Sequence, residues 1–157
     1  MQELNENGYL PPGVHEYSYE DYYAQFVSEH ITSKQRRMVH KLSIQWFGKL
    51  NKIASPLLLW LDGSFISNKM YPGDLDIVIF FDPRTLKRHE VKLGELQSCC
   101  KQFKCDVYYA IIVTKGSKQQ EKIHREYWKD QFCSDRQGKE KGIIEIKWDE
   151  FIKGLEG

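Results

Sequence analysis

The chain has 157 residues, 41% hydrophobic and 29% charged, an ordinary globular composition and enough length for one sizeable core. Its 23 basic and 22 acidic residues leave a formal net charge of +1, so any contact with a polyanion must come from a local patch. The longest apolar runs, 77–81 and 107–113, are far short of the roughly 20 residues that span a bilayer. The opening "MQELNENGYL" lacks the basic and apolar regions of a signal peptide, so a cytoplasmic protein with no membrane attachment is expected.

Residues 1–17 carry Pro11, Pro12 and two glycines and are expected to be extended or turn-like. Ser18 followed by Asp21 resembles a capping box that opens a short helix to about Ser28. Met38, Leu42, Trp46, Leu50 and Ile53 form the stripe of a helix over 33–54. "LLLWL" follows Pro56 as a buried strand and "DIVIFF" is a second, stopped by Asp82-Pro83. A helix is expected within 84–103, with Val91, Leu93, Leu96 and Cys100 turned inward. "CDVYYAIIV" is a third strand, 118–132 a helix, and "GIIEIKW" a fourth strand before a short C-terminal helix. Helices alternating with strands predict an α/β (α+β) fold, a small mixed sheet flanked by helices in one domain over 1–157. The four cysteines, Cys99, Cys100, Cys105 and Cys133, fit no zinc template and read as small hydrophobes.

The stretch "LLLWLDGSFISNKMYPGDLDIVIFF" carries the chemistry. Successive side chains on a strand point to opposite faces, so Asp74 and Asp76 share one, with Cα atoms about 6.5–7 Å apart. Two carboxylates that close repel each other, and a divalent cation relieves the repulsion. Hard oxygen ligands with open positions suit Mg2+ or Mn2+, whose shell is completed by water and phosphate. Upstream, Gly63-Ser64 directly follows a strand, where a glycine lets backbone approach an anion closely and free N–H groups form a concave site. Either feature alone is equally served by ordinary turn chemistry. Together, with nine residues between Ser64 and Asp74, they form both halves of a nucleoside triphosphate site.

That frame resembles the nucleotidyltransferase superfamily of the DNA polymerase β type, whose signature is an apolar strand, Gly-Ser, a short spacer and two aspartates around one apolar residue. By that resemblance Gly63 and Ser64 hold the triphosphate, while Asp74 and Asp76 hold magnesium. The superfamily places a third carboxylate on a later strand, and Asp106 in "FKCDVYYAIIV" occupies that position. The whole chain also resembles a small, little-characterised group of nucleotidyltransferase-like proteins, through "LNENGYLPPGVHE" and "YWKDQFCSDRQGKEKGIIEI". A haloacid-dehalogenase reading is excluded: there the catalytic aspartates close an apolar strand, whereas "DLDIVIFF" opens with them, and Trp60 stands at the nucleophile position two residues before Asp62.

The resemblance implies transfer of a nucleotidyl group from a nucleoside triphosphate to a hydroxyl of RNA, protein or a small molecule, with Asp74, Asp76 and Asp106 as catalytic metal ligands. Lys69, Arg136 and Lys141 are the candidate cations for the triphosphate, while Arg36, Arg37 and Lys139 are expected to be solvated surface charges. A core this small suits work with a partner protein or as a homo-oligomer, for example within a toxin–antitoxin or defence system. The alternative is a catalytically inactive module of the same fold that binds nucleotide, RNA or a partner protein. The tyrosines at 9, 17, 19, 22 and 23 either stack a base or, the favoured reading, pack the N-terminal segment onto the core.

Overall fold

A computed structural model describes residues 1–30, 32–113, 118–133 and 141–156. The elements run β1 (Gly13–Glu16), α1 (Tyr19–Phe26), α2 (Lys34–Asn51), β2 (Leu58–Asp62), β3 (Leu75–Phe81), α3 (Pro83–Arg88), α4 (Glu90–Ser98), β4 (Cys105–Ile111), α5 (Lys118–Phe132), β5 (Gly142–Lys147) and α6 (Trp148–Glu156). The strands form one mixed sheet in the order β1-β5-β2-β3-β4, so the fold is α+β with helices on both faces. β3 runs parallel to β4, β1 runs parallel to β5, and β2 is antiparallel to both its neighbours.

Side-chain alternation along the central strands divides the interior in two. Leu59, Leu61, Ile77, Ile79, Ile144 and Ile146 face a large core that includes Trp46, Phe47 and Leu50 of α2 and Phe151 of α6. Leu58, Trp60, Val78, Phe80 and Ile143 face the other way, under Trp128 and Phe132 of α5. β2 is buried on both faces, whereas β4, at the sheet edge, alternates between buried and more open positions.

Local chemistry sets the element ends. Ser18 accepts a hydrogen bond from the Asp21 N–H at 3.1 Å and so caps α1, and Ser33 caps α2 by accepting from the Arg36 N–H. Pro83, at the first position of α3, follows the N-cap Asp82. The extended N-terminal segment enters the sheet: β1 pairs with β5 in the register Gly13↔Gly142 to Glu16↔Glu145. Tyr17 and Tyr22 are buried, and Tyr19 packs edge-on against Phe151 at 5.4 Å, so these aromatics build core.

Three expectations need correction. The buried stripe of α2 is Arg36, Val39, Ser43, Trp46, Phe47 and Leu50, turned from the expected one so that Met38 is 40% exposed. Arg36 is fully buried, not a solvated charge, because the backbone of the next loop supplies its hydrogen-bond partners. Val91, expected to point inward, is 70% exposed, since α4 turns Leu93 and Leu96 to the core instead. Among the described residues, no helix is long and apolar enough to cross a membrane.

Candidate metal centre

The sheet register assembles the acidic residues. In the parallel ladder of β3 and β4, Asp76 lies beside Asp106, and in the antiparallel ladder of β2 and β3 it lies beside Asp62. Asp74 precedes β3 by one residue, and alternation places it on the face of Asp76. One oxygen from each of Asp74, Asp76 and Asp106 lies within 4.8 Å of the others. The first two are half-buried and the third is exposed, so the trio opens to solvent on the β4 side.

Asp76, flanked on both sides, bears most of the repulsion. Burial foremost, then the charges of Asp74, Asp62 and Asp106, push its carboxyl up to about 7, against a smaller opposing pull from Lys141. A cation beside these carboxylates would relieve the repulsion, and the all-oxygen donor set suits Mg2+ or Mn2+. These three residues fit such an ion.

Asp62 is 5% exposed and does not join the trio. The Lys141 ammonium lies 3.2 Å from its Oδ1. Burial raises the Asp62 pKa, with Lys141 and the Gly63 N–H pulling the other way. A cleft of about 300 Å³ opens over this face, lined by Asp62, Asp76, Asp106, Tyr108, Phe132 and Lys141 among others.

Gly63 links β2 to the loop that follows. Its φ is +82°, and a Cβ there would run into the Asp76 carboxylate, so residue 63 is confined to glycine twice over. Ser64, half-buried, continues a turn closed by the Ile66 N–H on the Gly63 carbonyl at 3.1 Å. Arg36 of α2 fixes the rest of the loop. Its guanidinium donates to the carbonyls of Lys69 at 2.8 Å, Phe65 at 2.8 Å, Ser67 at 2.6 Å and Phe26 at 3.0 Å, and stands over the Phe65 ring. Burial lowers its pKa to about 10, which leaves it charged at neutral pH.

The structure therefore brings Asp74, Asp76, Asp106, Gly63 and Lys141 to one end of the sheet, with Ser64 next in the chain. Lys69 is exposed and does not line the cleft. Arg136 and Lys139 lie outside the described residues. Asp62 and Arg36 are not among the site residues that the sequence pattern singles out. Alternation from Trp60 puts Asp62 on the face of Asp76, which was a usable signal. The signal for Arg36 was its place in the stripe 36, 39, 43, 46, 50.

No curated protein and no solved structure matches the chain. A family model, described as a family of unknown function (DUF6932), matches residues 2–147, and the chain belongs to that family.

Proposed function

We propose that the protein transfers a nucleotidyl group from a nucleoside triphosphate to a hydroxyl of RNA, protein or a small molecule, using divalent metal. The observation that carries this reading is the convergence of Asp74, Asp76 and Asp106 oxygens to within 4.8 Å at the mouth of a cleft. Asp74 and Asp76 would hold Mg2+ or Mn2+, with Asp106 as the third ligand. Bound there, the metal would supply charge neutralisation of the triphosphate and activation of the acceptor hydroxyl. The Gly63-Ser64 turn offers close backbone approach and a hydroxyl donor to phosphate oxygens, and Lys141 offers the cation. The acceptor oxygen attacks the α-phosphorus, the bond to the bridging oxygen breaks, and pyrophosphate leaves. Asp106, the exposed member, takes the acceptor's proton on a carboxylate oxygen.

The test is incubation with each α-labelled nucleoside triphosphate and Mg2+ or Mn2+, offered total RNA, co-purifying proteins and the protein itself. Label transfer that disappears in the Asp74→Ala, Asp76→Ala double variant supports the enzyme. Tight nucleotide binding without transfer to any acceptor overturns it in favour of a binding module.

A further inference from the structure

We propose that Asp62 is a positioning residue, holding the Lys141 ammonium over the acidic trio as a clamp for the phosphate chain of the substrate. The inference rests on the metal-dependent reading above and extends it to a residue outside the metal ligands.

The first observation is the backbone at Lys141. Its N–H donates to the Cys133 carbonyl at the end of α5 at 2.8 Å. The next residue, Gly142, has no room for a Cβ against Leu10 and the Pro11 carbonyl, and its N–H reaches the Leu10 carbonyl at 3.2 Å. The Cα of residue 141 is thus tied on both sides, and what remains free is the direction of a long, rotamer-rich side chain. Asp62 is the charge that faces it: the two charged atoms stand 3.2 Å apart as an ion pair, outside hydrogen-bond geometry, with the side chains only 7% (Asp62) and 15% (Lys141) exposed.

The second observation is where the pair sits. A buried Asp–Lys pair adds little stability over apolar residues of the same size, because desolvation offsets the attraction. Placing its acidic member directly across the ladder from Asp76 worsens the repulsion that the trio already suffers. Lys141 offsets only part of that added repulsion, so a pair serving only the fold gains little from this location. Beside a polyphosphate site the arrangement has a use: among the described residues, Lys141 is the lysine or arginine that lines the cleft shared by Asp76 and Asp106. An ammonium already oriented there needs no ordering when phosphate arrives.

Charge and position make opposite predictions for Asp62→Asn. Removing a negative charge beside an anion site should by Coulomb's law alone tighten anion binding. Loss of the group that orients Lys141 should weaken it. The experiment measures Mn2+ binding by calorimetry, then binding of inorganic tripolyphosphate to the Mn2+-loaded protein, a probe free of base and sugar. For Lys141→Met we expect tripolyphosphate affinity to fall roughly tenfold, the worth of one charge-assisted contact, with Mn2+ affinity unchanged or higher. We expect Asp62→Asn to lose about fivefold in tripolyphosphate affinity and Lys141→Arg to stay within about threefold of wild type. If Asp62→Asn does not fold, Asp62→Glu, which moves the carboxylate by one methylene, carries the test with the same expected direction. Tripolyphosphate binding that is unchanged or tighter in the Asp62 variant overturns the positioning role and leaves the metal reading standing. A wild-type protein that takes up no Mn2+ overturns both.

Discussion

The backbone of Gly63 lies against the carboxylate of Asp76, so closely that no side chain fits between them. The turn after β2 and Asp76 on β3 are therefore one packed unit. Gly63→Ala meets two obstacles, a left-handed φ of +82° and the carboxylate itself. The first costs about 1–2 kcal/mol for a residue with a Cβ. The second must move Asp76 away from Asp74 and Asp106. The expected outcome is a fall in melting temperature and a loss of Mn2+ affinity of at least tenfold. A variant with wild-type Mn2+ affinity would show that the turn and the trio are independent.

Arg36 holds four backbone carbonyls and, among the described residues, no carboxylate, so its worth lies in geometry more than in charge. Arg36→Met should cost about 3–5 kcal/mol, because buried carbonyls of the 65–69 loop lose their donors. Arg36→Lys keeps the charge, but one compact ammonium cannot serve the same spread of acceptors, so it should still cost about 2 kcal/mol or more. Chemical denaturation midpoints measure both. Arg36→Lys within about 0.5 kcal/mol of wild type would sink the claim that the planar fork matters.

Strands β2 to β5 and the acidic trio are legible in the sequence because both depend on local pattern, whereas β1 reads only as an extended segment. Asp76 and Asp106 each stand at the start of an apolar strand, and period-two alternation alone puts Asp74 with Asp76. Strand order was not legible: β1 is four residues that pair with a strand near the other end of the chain. Apolar character alone marks the wrong face of α2, through Met38, because the buried stripe contains an arginine. Its partners are main-chain carbonyls, which no residue type advertises. Asp62 escaped for a related reason, because the Lys141 that pairs with it follows the sheet order and not the chain.

The Asp76 carboxyl gives the metal-free protein a specific pH dependence. Its ordinary value is 3.8 and in the fold it lies at about 7. Between those values the native state keeps a proton that the unfolded chain releases, so stability is greatest at the acid end and is lost as pH rises through 7. Each pKa unit corresponds to about 1.4 kcal/mol, and water entering the open cleft reduces the total to the order of 2 kcal/mol. Melting temperatures from pH 5 to 8 without divalent ions should fall more steeply for wild type than for Asp76→Asn. Mn2+ at pH 8 should restore the wild type alone. Parallel slopes in the two proteins would show that Asp76 is not the group responsible.

Helix α5 roofs the cleft with no fully buried residue of its own. One polar attachment of the helix is Arg125, whose Nη1 lies 2.6 Å from Glu145 Oε1, the same oxygen that accepts the Trp60 indole N–H at 2.9 Å. The Glu145 side chain is 5% exposed, so Arg125→Met would strand a buried carboxylate with one neutral donor, at a cost of about 3 kcal/mol. Adding Glu145→Gln removes the stranded charge while keeping an acceptor for Trp60, and should recover most of that loss. Hydrogen exchange should show α5 amides opening faster in Arg125→Met while the amides of β2 and β3 stay protected. A double variant no more stable than Arg125→Met would mean that the arginine acts by packing its stem on the sheet and not by neutralising Glu145.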